Sequence, residues 1–187
     1  MTVNLQQFEK VTPDKLLQDL GLYAVPVNVE EVCRRLDVEL SKKVSLSSMN
    51  YSGEISSDSN GISIWVNPLD SDNRRRFTIA HELGHLVHDI IPELGNDNSI
   101  KYSDTQKTLK RDGRQAPEEY RANDFAAKLL MPEKLILERS KVVIKNIQGI
   151  TKQAKVPRSA FIEGMAKMFS VSEQAMEIRL KNVNILK

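Results

Sequence analysis

The feature that most constrains the fold of this chain is a helix with almost no face left for solvent. Between Arg74 and Ile90, the apolar residues Phe77, Ile79, Ala80, Leu83, Leu86, Val87 and Ile90 cover most of a helical wheel, so the segment reads as a buried helix. Its polar residues do not scatter. Taking His81 as origin, Arg74, His85 and His88 fall within about 40° of it and form one stripe. A polar stripe on a buried helix faces either a satisfied internal network or a cleft, and a stripe of imidazoles favours the cleft.

Two of those imidazoles stand at a spacing that chemistry uses. In the run His81-Glu82-Leu83-Gly84-His85 they lie four residues apart, about 40° round the axis and about 6 Å along it, so both rings can reach one metal ion. Glu82 points to the side of the pair, where its carboxylate can lie over a water in the ion's open position, as on a metalloprotease helix. His88 does not suit a third ligand. On an unbroken helix it is about 10 Å of axial rise from His81.

A catalytic zinc held by two His needs one more protein ligand and an open position. The segment Pro117 to Leu130 supplies a second helix, with Pro117 at its first position and Ala122, Phe125, Ala126, Leu129 and Leu130 as its apolar face. Glu118 and Glu119 each lie about 50° from the centre of that face, so periodicity does not choose between them. Asn123 does. It lies four residues after Glu119 on the same face, where its amide could orient a ligating imidazole.

The rest of the chain reads as an α+β domain. Thr12-Pro13-Asp14 opens a helix that Gly21 stops, and a second helix spans about residues 28–36. Val38 to Val44, Met49 to Ser56 and Ile62 to Asn67 read as three strands of a small antiparallel sheet, with Ile62, Ile64 and Val66 on one face and Trp65 on the other. Trp65 could line a substrate groove or pack under a loop. Asp70-Ser71-Asp72 offers N-caps to the metal helix, Pro92 ends it, and residues 95–116 read as a long polar surface loop. The expected division is a core over residues 1–132 and a helical region over 133–187.

Composition removes several classes. With 27 basic and 25 acidic residues, no overall charge argues for nucleic acid or an anionic membrane. Cys33 is the one cysteine, so a disulfide framework and a thiolate metal cluster are excluded within one chain. Met1 to Lys10 has no apolar leader, and no run is long enough to cross a bilayer, so the expected location is the cytoplasm.

Within 133–187, Pro157 to Phe169 and Ser172 to Asn182 have the spacing of a helix-turn-helix. Two features argue against DNA contact. Glu173 and Glu177 on the second helix would face phosphates, and Arg179 stands where that motif usually buries an apolar residue. Docking against the core or against a protein substrate is the expected use.

The two blocks Arg76-Phe77-Thr78-Ile79-Ala80-His81-Glu82-Leu83-Gly84-His85 and Glu119-Tyr120-Arg121-Ala122-Asn123-Asp124-Phe125-Ala126-Ala127-Lys128-Leu129-Leu130-Met131-Pro132 together resemble the ImmA/IrrE family of zinc metallopeptidases. The likeness extends over most of residues 12–184, and nothing before residue 70 looks like a DNA-binding domain, so the chain is similar to the stand-alone form. The resemblance implies a zincin-like, gluzincin-type core with His81, His85 and Glu119 as zinc ligands and Glu82 as catalytic carboxylate. It also implies a protein substrate, commonly a helix-turn-helix repressor encoded nearby whose cleavage relieves repression in a stress response or a mobile element. His88, Tyr120 and Arg74 are the candidates for stabilising an oxyanion or contacting substrate. The competing reading is a regulatory protein that holds a repressor or antitoxin without hydrolysis, its metal site structural or vestigial.

Overall fold

The computed structural model describes residues 3–42, 51–94, 100–105 and 116–187. The buried helix of the sequence analysis is α3 (Asp72–His85), and the other elements are arranged so that it meets no solvent from Thr78 to His85. Ser71 caps it, its side-chain oxygen accepting from the Arg74 N–H.

Ahead of it lie α1 (Pro13–Asp19), capped by Thr12, and α2 (Val29–Arg35), capped by Asn28. Their buried residues, among them Leu16, Leu17, Val29, Val32 and Cys33, join the common core. Burial pushes the Cys33 thiol up to about 12, so it behaves as a small hydrophobe.

The strands are β1 (Val38–Ser41), β2 (Tyr51–Asp58), β3 (Gly61–Val66) and β4 (Ile100–Thr105), in the order β1-β3-β2-β4. Asp58 turns β2 into β3 by accepting from the Asn60 N–H at 2.7 Å, and Gly61 follows at φ +121°, a conformation that favours glycine. Ile55, Ile64 and Val66 are fully buried on the inner face. Trp65 is half-buried on the other face, with Glu54 and Ser41 as its register partners.

The sheet corrects two expectations. Among the described residues it has four strands rather than three, and it is mixed rather than antiparallel: β1 runs parallel to β3, whereas β2 runs antiparallel to both β3 and β4. The β2–β3 hairpin places β3 next to β1, a pairing that no local pattern encodes. Strand β4 falls inside the expected loop of 95–116, where six residues of mixed polarity gain their hydrogen bonds from β2. The expected end of the first strand, the beginning of the second and most of that loop lie outside the described residues.

A second correction concerns α3. The helix is not unbroken to Ile90: after His85 it widens into one π turn (Leu86–Ile90) and a 3-10 turn (Ile91–Glu93) that contains Pro92.

After α4 (Pro117–Leu130) come α5 (Glu133–Thr151), α6 (Arg158–Phe169) and α7 (Glu173–Asn182). The sequence analysis delimits the last two but not α5, whose apolar residues are spread over several faces. Leu135, Ile136 and Val143 are buried, whereas Leu137, Val142 and Ile144 are exposed. Ser170 takes a left-handed φ of +52° between α6 and α7, and Ser172 caps α7 by accepting from the Ala175 N–H at 3.2 Å.

The packing of α3 on α4 decides where the imidazoles point. Gly84 makes it possible: a Cβ there would stand 2.9 Å from Ala122 Cα and 3.1 Å from Ala122 O, both backbone atoms that cannot swing aside. Gly84→Val is therefore expected to force the helices apart, destabilising the fold by about 1–3 kcal/mol and weakening divalent-metal uptake. Thermal melts and metal titration check both effects, and an unchanged melting midpoint would show that the contact is dispensable.

Candidate metal centre

The site is assembled from two helices. His81, Glu82 and His85 come from the last turns of α3, and Glu119 from the first turn of α4, so their separation depends on the Gly84 contact. All four are buried: His81 is 3% exposed, Glu82 0%, His85 2% and Glu119 8%.

The two imidazoles turn the same nitrogen inward. His81 Nε2 and His85 Nε2 are 3.1 Å apart, Glu119 Oε2 is 3.4 Å from His81 Nε2, and Glu119 Oε1 is 3.5 Å from His85 Nε2. A tetrahedral ion bound by N and O ligands at about 2.0–2.1 Å has ligand–ligand edges of about 3.3–3.5 Å. Two edges of the observed triangle lie in that range and the imidazole–imidazole edge is slightly shorter, so His81, His85 and Glu119 could hold a metal ion.

The outer nitrogens explain the orientation. His81 Nδ1 lies 3.0 Å from Asn123 Oδ1, which can only accept, so the ring donates there and presents the Nε2 lone pair inward. His85 Nδ1 lies 2.8 Å from Asp89 Oδ2, and the other oxygen of Asp89 accepts from Arg121 Nη2 at 2.9 Å. Neither Asp89 nor Arg121 stands out in the sequence. The signal for Asp89 was its place four residues after His85, and the π turn carries it to the ring. If Asp89 orients His85, Asp89→Ala is expected to lower metal affinity by about 10- to 100-fold in competition with a chromophoric chelator.

Glu82 is held from the sheet side. A Cβ on Gly53 in β2 would stand 3.0 Å from Glu82 Oε1 and 2.2 Å from Thr78 Cγ2, so only a glycine lets the strand lie against this turn of α3. Gly53 does not stand out either. A glycine inside a strand pattern is the signal of such a close approach.

The other sequence candidates lie elsewhere. Arg74 Nη2 donates to Ser52 Oγ at 2.8 Å, and His88 stacks edge-on against Phe125 with ring centroids 5.6 Å apart. Tyr120, next to Glu119 in the chain, is 67% exposed. Glu118 lies outside the buried cluster that Glu119 joins.

Charge couples the cluster to pH. Burial would lower the His85 pKa, but hydrogen bonds to Asp89 and Glu119 and the surrounding carboxylate charge outweigh it and raise the value to about 9. Hydrogen bonds from His81 and His85 pull Glu119 down to about 2. In the metal-free protein the His85 contribution to stability is complete below its ordinary 6.5 and is lost as pH rises through about 9. The Glu119 contribution is complete above its ordinary 4.5 and is lost as pH falls through about 2. Melts in chelator are therefore expected to show this cluster stabilising most between about pH 4.5 and 6.5, and a midpoint that climbs from pH 6.5 to 9 would contradict the arrangement.

No curated protein matches the chain. A family model does: residues 33–181, from α2 to α7 and including His81, Glu82, His85 and Glu119, match the IrrE N-terminal-like domain of peptidases, a metal-dependent family. With a match over most of its length and a buried His-His-Glu triangle at the matching helices, this chain belongs to the IrrE N-terminal-like metallopeptidase family.

Proposed function

We propose that the chain is a zinc-dependent endopeptidase that cuts a helix-turn-helix transcriptional repressor encoded near it, relieving repression in a stress response or a mobile element. The observation that carries the hydrolytic part is the convergence of His81, His85 and Glu119 ligand atoms beside a fully buried Glu82. Two neutral imidazoles and one carboxylate suit zinc, and three protein ligands leave the fourth position for chemistry. When bound, the ion supplies Lewis acidity, which acidifies water and polarises a scissile carbonyl.

The chain's own residues do the rest. Glu82 takes a proton from the attacking water on its carboxylate and passes it to the leaving amine. Asn123 and Asp89 keep the proton of each imidazole on Nδ1, so neither ring turns. Of the three oxyanion candidates, Arg74 is engaged with Ser52 and His88 with Phe125, and Tyr120 is the exposed neighbour of a ligand. A repressor substrate places the enzyme in the cytoplasm, and among the described residues no helix is long and apolar enough to cross a membrane.

Glu82→Gln tests the reading. The variant is expected to keep about one zinc per chain, by elemental analysis, and to cut the adjacent gene's repressor about 10²- to 10⁴-fold more slowly. Full cleavage by the variant would remove Glu82 from the chemistry.

A further inference from the structure

The α6–α7 unit is fastened to the core by arginines. Arg179 Nε donates to Met131 O just after α4 at 3.0 Å, and Arg76 Nε donates to Ser170 O between α6 and α7 at 3.1 Å. Arg76 Nη2 also donates to Val27 O at 2.9 Å, so this second tie reaches into the N-terminal part of the core. These struts hold α7 across a gap from α3 and α4. The gap is a cavity of about 470 Å³, within the range of roughly 300–1,000 Å³ typical of ligand pockets.

The walls of the cavity are mostly apolar: Phe77 on α3, Ala127 and Leu130 on α4, and Val171, Ala175 and Ile178 on or beside α7. Ile178 is 52% exposed there. The lining cations, Arg74 and Arg179, are directed to Ser52 and to Met131 O, so the cavity suits a neutral apolar occupant better than an anion. It adjoins the candidate metal centre through one shared residue. Asn123 lines the cavity and also contacts His81, and Phe77 precedes His81 by one helical turn, about 6 Å.

We infer that this cavity receives an apolar side chain of the polypeptide being cut, two to four residues from the scissile bond, with α7 as its outer wall. The inference rests on the peptidase reading above. An extended chain advances about 3.3 Å per residue. The α3 residues lining the cavity, from Phe77 back to Asn73, lie four to eight residues before His81, about 6–12 Å of axial rise, which sets the two-to-four-residue offset. Burial of the side chain among Phe77, Leu130 and Ile178 favours binding by removing apolar surface from water.

The test reads specificity and binding separately. Zinc-loaded protein and its Ile178→Glu and Ile178→Met variants are incubated with a randomised mixture of twelve-residue peptides, and the products are sequenced. The wild type and Ile178→Met are expected to enrich Leu, Ile, Met or Phe at one position two to four residues from the cut. Ile178→Glu is expected to reduce that enrichment about tenfold or more.

Cleavage without such enrichment, or enrichment that survives Ile178→Glu, overturns the proposal and leaves hydrolysis standing. Cleavage of no peptide counts against the peptidase reading. The cavity is then judged on the metal-free protein, in which acetyl-Ala-Leu-Ala-Leu-Ala-amide is expected to shift the amide resonances of Ala127 and Ala175. Absence of those shifts overturns the proposal. So does a change of molar mass in solution on Ile178→Glu, which would show that a second copy of the chain fills the cavity.

Discussion

Everything at the centre of this molecule depends on how closely α3 approaches α4. Two imidazoles from one helix and a carboxylate from the other have to meet within a few ångströms, and the backbone of Ala122 rests where a side chain on residue 84 would be. A side chain on residue 84 would press on that backbone, and a metal held between the helices allows little widening, because first-row metal–ligand distances vary by only a few tenths of an ångström.

A cluster of ionisable groups inside a protein has to be offset by its surroundings. Here the compensation is arranged in layers. His85 is charged in the metal-free protein because Asp89 and Glu119 flank it, and Asp89 is in turn held by Arg121, whose side chain reaches solvent. His81 is satisfied by a neutral amide, Asn123. Glu82 lies against the strand through Gly53. Hydrophobic neighbours of α3 fill the rest, which lets the polar stripe exist on a helix that is otherwise apolar.

The C-terminal helices have the spacing of a helix-turn-helix and are packed into the core. Pairs such as α6 and α7 commonly present the second helix to a DNA groove, yet Arg179 on α7 is buried and bonded to the end of α4. Arg158 and Lys181 both pair with Glu177, so local basic charge is used within the unit. The buried side chains of α6 and α7, Phe169, Met176 and Leu180 among them, join the same cluster as those of α3 and the sheet.

Much of this was legible because it is local. The burial of α3, the four-residue spacing of His81 and His85, the apolar face of α4 and the caps at Thr12, Asn28 and Ser71 follow from periodicity and side-chain chemistry within a few residues. The pairing of β1 with β3, the strand hidden at 100–105, the π turn after His85 and the closeness of Gly53 to Glu82 were not legible. Each depends on a segment distant in sequence or on a change of helical pitch that composition does not announce.

The sequence by itself determined which side chains are available for metal chemistry and on which helix faces they lie, since a helix places residues by a fixed angle and rise. Only the tertiary structure decided how closely Glu119 approaches the imidazoles, that Asp89 and Arg121 support one of them, and that α7 walls a cavity beside the site. Those outcomes are distances between separate elements, and packing sets such distances where local propensity cannot.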